Sequence, residues 1–114
     1  DVAAHTEKGG RARYSRGMTA ERRWEAHVGE ELAGYAEYRA VTGRIIFTHT
    51  VVEPRFEGRG IGTRLARAAL DDAVARGLRI TPHCPFIRAY LERHPKYRER
   101  VDWPAARPAA NQGG

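Results

Sequence analysis

The stretch HTVVEPRFEGRGIGT, residues 49–63, decides the fold, because it leads from a strand-like run through closely spaced glycines into a helical pattern. Gly58, Gly60 and Gly62 allow backbone bends closed to other residues and let a ligand approach the N–H groups without meeting Cβ atoms. The first N–H groups of a helix lack intrahelical partners, and its dipole is positive at that end. The turn is therefore expected to hold a phosphate or pyrophosphate. Pro54 ends the preceding strand, since it has no ladder donor and biases Glu53 away from helix.

Working outward, the chain before the turn reads as an antiparallel meander. In residues 22–28, Trp24, Ala26 and Val28 alternate with Arg23, Glu25 and His27, the period of a half-buried strand. Gly29 and Glu30 turn the chain into a second strand over 32–41, and Thr42 with Gly43 into a third over 44–53. After the turn, Ile61, Leu65, Ala69, Leu70 and Ala73 fall on one helix face, with Arg64, Arg67 and Asp71 opposite. Residues 78–84 read as another strand, and a right-handed crossover predicts that it runs parallel to the third. Pro85 suits the first turn of a second helix running to His94, which Pro95 stops. The predicted fold class is α/β with a mixed sheet: an antiparallel meander, a β-α-β crossover and a C-terminal helix. Residues 1–20 are expected to be a flexible arm, 21–103 the domain and 104–114 a fraying tail, with Met18 as a candidate natural start.

The 114 residues suit one domain with a core and little surface for accessory modules. Twenty Lys and Arg against 14 Asp and Glu give a formal charge of +6, which suggests anionic ligands. The single cysteine, Cys84, excludes an intrachain disulfide and a cysteine-based metal cluster, and no apolar run is long enough to span a membrane. A cytoplasmic protein is expected. Arg11, Arg13 and Arg16 have Tyr14 as their one interleaved aromatic, so they read as a solvated tail rather than a nucleic-acid arm.

Three glycine-loop readings compete. A P-loop requires Gly-Lys-Ser/Thr, and Gly60, Ile61, Gly62 and Thr63 supply no lysine. A dinucleotide-binding fold requires further βα units and an acidic residue at the end of the next strand, where Pro82 and His83 stand. In the third reading, VEPRFEGRGIG (residues 52–62) resembles motif A of the Gcn5-related N-acetyltransferases, whose turn holds the pyrophosphate of acetyl-coenzyme A. CPFIRAYLERHPKY (84–97) and the His-Thr before the motif resemble the small YjdJ-type branch, and the resemblance spans residues 22–103. Glu57 stands where the wider superfamily carries Arg or Gln, so the backbone and Arg59 must carry more of the pyrophosphate's charge.

The resemblance implies acetyl-coenzyme A as cosubstrate, an amine acceptor and no metal. It places Thr50, Val51 and Val52 beside the pantetheine arm, which pairs with them as an extra strand between two splayed parallel strands. N–H groups from Arg59, Gly60, Ile61, Gly62 and Thr63 can cradle the pyrophosphate, and Arg55, Arg59 and Arg64 are near enough in sequence to reach coenzyme A phosphates.

Acetyl transfer needs a neutral amine, an oxyanion donor and an acid for the leaving thiolate, and His49, Cys84 and Tyr90 are the candidates. Tyr90 matches the family tyrosine commonly set beside the thioester sulfur as general acid, the role expected of it here, and reads equally as a core aromatic. Cys84, ahead of a helix start in the CPF motif, is a candidate nucleophile or an inert core residue. His49 shares an expected face with Ile45, Phe47 and Val51, as a core histidine or a general base. Glu53 and Glu57 are candidate bases acting through water or solvated ends, His94 suits the helix C-terminus, and His83 with His94 lacks a third metal ligand. The expected reaction is direct attack in a ternary complex, with a Cys84 acyl-enzyme as the alternative. The rival is a non-enzymatic coenzyme A-binding or nucleic-acid-binding module, the latter opposed by the lack of a recognisable motif. The acceptor site is expected to be open, and the protein a monomer or homodimer.

Overall fold

The computed structural model describes residues 5–7, 10–16 and 22–104, with residues 5–7, 10 and 11 by backbone alone. Six strands form one sheet in chain order: β1 (His5–Glu7), β2 (Gly10–Arg16), β3 (Arg23–Val28), β4 (Glu31–Val41), β5 (Arg44–Val52) and β6 (Arg79–Pro82). Neighbours from β1 to β5 run antiparallel, and β6 lies parallel to β5 across the crossover made by α1 (Ile61–Ala75). A second helix, α2 (Pro85–Arg93), follows β6, and a 3-10 segment (Pro95–Arg100) follows α2. This is the mixed α/β sheet that the hydrophobic pattern predicts.

The expected loose arm over residues 1–20 does not hold for Gly10–Arg16. That stretch is a strand, paired with β3 from Ala12↔Val28 to Arg16↔Trp24. Ala12 and Tyr14 are buried while Arg13 and Ser15 face out, so the two-residue period was present but carried by only two apolar side chains. Pairing to β3 and burial of the Tyr14 ring order it despite its polar composition. Nor does the expectation hold for His5–Glu7, which pairs with β2 as a short strand. The remainder of the expected arm, residues 1–4, 8–9 and 17–20, and the expected tail beyond residue 104 lie outside the described residues.

α1 covers one face of the sheet with Ile61, Leu65, Ala66, Ala69, Leu70 and Ala73, all at most 1% exposed. Ile45, Phe47 and Ile80 meet it from the strands, and the small side chains of Ala26 and Ala36 let the helix lie close. The end of the domain is tied by Asp102, which accepts from Arg79 at 2.6 Å and from Arg44 at 2.7 Å. Val101 makes a bridge beside Ile80, and the Asp102 N–H donates to the Ile80 carbonyl, so this segment lies along the outer edge of β6.

One irregularity shapes the site. Between β4 and β5 the register runs Glu37↔His49 and then Tyr38↔Phe47, leaving Thr48 as an extra residue in β5. Such a bulge reverses the alternation of side chains beyond it. Ile45 and Phe47 point into the core, whereas past Thr48 the inward positions are Thr50 and Val52.

Candidate functional site

The turn at the end of β5 begins with a 3-10 segment, Pro54–Phe56, whose Phe56 ring is buried. The guanidinium groups of Arg55 and Arg59 lie 5.1 and 5.2 Å from that ring, and Arg55 also pairs with Glu31. Gly58 and Gly60 follow with φ of 83° and 76°, in the left-handed region that favours glycine. Gly60 caps α1 without any side-chain hydrogen bond, and the first backbone bond of the helix runs from the Arg64 N–H to the Gly60 carbonyl. The N–H groups of Ile61, Gly62 and Thr63 precede that bond and so have no partner within the helix, the arrangement that favours an anion at a helix start. Arg64 arches back over it, donating to the Arg59 carbonyl at 3.0 Å, with its guanidinium carbon 3.7 Å from where a Cβ on Gly60 would stand. A Cβ on Gly62 would stand 3.0 Å from Phe86 Cζ and 3.4 Å from Val52 Cγ2, so the turn packs tightly against both β5 and α2.

Beside the turn, β5 and β6 part. Their pairing ends at Phe47↔Pro82, and the N–H groups of His83 and Cys84 both donate to the Phe47 carbonyl, at 2.9 and 3.0 Å. Among the described strands, the second half of β5 keeps only β4 as a neighbour. The Glu53 N–H donates to the Ala33 carbonyl, so by the alternation of an antiparallel ladder the backbone polar groups of Val51 also face β4. Those of Thr50 and Val52 then face the fork. Cys84 stands at the same place, buried, as the residue that caps α2, with its Sγ 3.2 Å from Thr50 Oγ1. The structure thus brings Thr50, Val52, Cys84 and the glycine turn together.

His49 lies elsewhere. The bulge turns it away from Ile45 and Phe47 onto the sheet face opposite α1, where its side chain is 72% exposed. The expected shared face with Ile45 and Phe47 is thereby corrected, and only Val51 remains on the same side. On that face His49 Nε2 lies 3.9 Å from Glu37 Oε1, and Thr48 Oγ1 donates to the same oxygen at 2.9 Å. These groups line an open cavity of about 580 Å³ together with Arg22, Tyr38 and Arg39. Sequence reasoning missed Glu37, because its pairing with His49 follows from a register that the bulge sets.

Tyr90 is 2% exposed on α2, its ring stacked on His94 at 4.0 Å and tilted against Tyr97 at 6.2 Å. His94 caps the helix, and its Nδ1–H donates to the Tyr90 carbonyl at 2.7 Å. Tyr97 donates to Asp71 Oδ1 on α1 at 2.5 Å, and burial, with that carboxylate, pushes the Tyr97 hydroxyl's pKa well above the usual phenol range. Tyr90 therefore sits in an aromatic cluster that joins α2 to the middle of α1, ten residues along the helix from Ile61. Glu53, Glu57 and His83 are exposed. Among the described residues, no three of His, Cys, Asp and Glu come together as a metal cage.

A family model described as GCN5-related N-acetyl-transferase matches residues 23–101. Protein NATD1 from Mus musculus is 39% identical over 67 residues, which cover 56% of this chain and 61% of that protein. Protein NATD1 from Homo sapiens is likewise 39% identical over 67 residues, covering 59% of its length. The chain thus spans less than two thirds of the length of these curated relatives. Among solved structures, a GCN5-like protein from Staphylococcus aureus superposes with a TM-score of 0.61 at 21% identity, covering 85% of this chain and 94% of that one. The ribosomal-protein-alanine N-acetyltransferase from Brucella melitensis biovar Abortus 2308 does so with a TM-score of 0.52 at 20% identity, covering 77% and 69%. At those identities the likeness is one of fold.

Proposed function

The chain belongs to the GCN5-related N-acetyltransferase family, and from that premise we propose that it transfers acetyl from acetyl-coenzyme A to a primary amine by direct attack. The observation that carries this reading is the fork between β5 and β6 with the glycine turn at its mouth. An elongated ligand with a pyrophosphate fits this pair of features. Thr50 and Val52 hold its amide-bearing arm through their fork-facing backbone, Val51 supports that strand from the β4 side, and the turn from Gly58 to Thr63 takes the phosphates with Arg64 at its rim. When bound, the thioester supplies an activated acetyl group at the fork.

The rest of the chemistry falls to side chains. A neutral amine enters from the open sheet face, and His49, backed by Glu37, accepts its proton as the new C–N bond forms and the C–S bond breaks. We assign the proton for the departing thiolate to the Cys84–Thr50 pair, because Cys84 stands at the fork whereas Tyr90 packs among Tyr97 and His94. Tyr90 then fixes the angle of α2, and with it the position of Cys84.

The test has two parts. Acetyl-coenzyme A should raise the melting temperature of the protein, by an amount that grows with its concentration, and NAD should not. A bulky residue in place of Gly60 should abolish that shift, since a side chain there is strained at φ 76° and crowds the Arg64 guanidinium. Equal stabilisation by NAD or ATP would refute the cosubstrate assignment. Across a panel of amines, Cys84→Ala should lower kcat by roughly a hundredfold and Tyr90→Phe by much less, the size expected for loss of a proton donor. Acetyl mass on Cys84 that an added amine discharges would replace direct attack with an acyl-enzyme.

A further inference from the structure

Two cavities adjoin at the far end of β4, and their charge is one-sided. The open cavity beside His49 and a second of about 190 Å³ share Arg22, Tyr38 and Ala40 as walls, and the second adds Arg16 and Arg76. Among the described residues, their lining carries four arginines, Arg16, Arg22, Arg39 and Arg76, against one acid, Glu37. Glu37 is already engaged with Thr48 and lies near His49. Asp72 pairs with Arg76 at 3.1 Å and leaves the positive excess on the other three.

The backbone at the same place is open. The Tyr38 N–H donates to the Arg22 carbonyl, and no strand among the described residues continues the ladder on that side of β4. By antiparallel alternation, Arg39 turns its backbone to β5, and Ala40 presents its N–H and C=O to the open edge. Ala40 borders both cavities. An extended peptide can add to such an edge through main-chain bonds while its side chains meet the flanking residues.

We propose that the amine acceptor is an acidic polypeptide segment, which docks along the β4 edge at Ala40 with its carboxylates among Arg16, Arg22, Arg39 and Arg76 and its amine directed to His49. This rests on the acetyl-transfer reading and names its substrate class. His49 pairs with Glu37 and Ala40 with Ile45 in the β4–β5 ladder, so the docking point at Ala40 lies three residues along β4 from the position opposite the proton acceptor. At about 3.3 Å per residue, that is a distance of roughly 10 Å, which a lysine side chain with one or two flanking residues spans. The chemistry favours a polypeptide over a nucleic acid. Tyr38, half-buried with its ring edge-on to Phe47 at 6.3 Å, is the one Phe, Tyr or Trp among the described lining residues, whereas single strands are held by a succession of stacked aromatics.

The experiment compares two short peptides with one central lysine, flanked by glutamates in one and by glutamines in the other, binding to the full chain by fluorescence anisotropy. The acidic peptide should bind about tenfold more tightly at physiological salt, the sum of several exposed charge pairs each worth a few tenths to one kcal/mol. The preference should shrink as salt rises. The double variant Arg16→Gln, Arg22→Gln should abolish it while leaving the acetyl-coenzyme A melting shift intact. Equal affinity for both peptides, or a preference that survives in the double variant, overturns the proposal. So does single-stranded DNA that competes for the same arginines more tightly than the acidic peptide. Because binding is read without turnover, a failed cosubstrate shift would sink the acetyl-transfer reading separately.

Discussion

The two halves of β5 have opposite duties. From Arg44 to Phe47 the strand is held on both edges, by β4 and by β6, with Ile45 and Phe47 almost fully buried and Arg44 clamped to Asp102. Past the bulge at Thr48 it keeps one neighbour, and its backbone and side chains turn to the fork on one face and to an open cavity on the other. One strand thus serves as anchor for half its length and, in the proposed reaction, as working surface for the rest. A site needs unpaired polar groups held still, and the cheapest way to hold them is to continue a strand whose other end is locked.

That contrast breaks most sharply at its anchored end. Phe47→Ala should cost about 3–5 kcal/mol, measured by chemical denaturation, because the ring is fully buried and the cavity left behind lies between sheet and helix. In the working half the cost should fall on rate instead. His49→Ala should leave the denaturation midpoint unchanged, since the ring is largely exposed, and lower kcat by roughly a hundredfold near neutral pH. A loss of stability in that variant would mean that His49 has a structural part the outer face does not reveal. Thr50→Val preserves shape and removes only the hydroxyl beside Cys84, so it should cost about 1 kcal/mol or less in stability.

The smallest effect belongs to the clamp and is confined to acid. Hydrogen bonds from Arg79 first and Arg44 second lower the Asp102 carboxyl from 3.8 to about 2. A depressed carboxyl stabilises the fold fully above its unfolded value, and that contribution is lost as pH falls through the folded value. Asp102→Asn should therefore be less stable than the parent at neutral pH. The difference should close as pH drops from 3.8 to about 2, and a difference that stays constant across that window would show that the clamp acts by shape rather than charge.

Legibility in the sequence followed the range of the forces. The meander, the crossover and the glycine turn could be read because each depends on neighbours a few residues apart: alternation in β3 and β4, the helical spacing of Ile61, Leu65 and Ala69, and the bends of Gly58 and Gly60. The order of β2 was hidden because two apolar residues, Ala12 and Tyr14, carry it, and their burial depends on a partner strand. The facing of His49 was misread for a related reason. Alternation counted from Ile45 is valid only until an extra residue enters, and nothing local to Thr48 announces that β4 will skip it.

By itself, then, the sequence determined the mixed sheet and the place of the glycine turn, since short-range geometry and backbone freedom specify them, and it carried the motif that marks the family. Only the tertiary structure decided which side chains meet. It set Cys84 against Thr50 across the fork, sent His49 to Glu37 on the other face, and packed Tyr90 with Tyr97 over Asp71. The physical reason is register: contacts between residues far apart in the chain depend on how strands slide and bulge against one another, and a shift of one residue exchanges the two faces of the sheet.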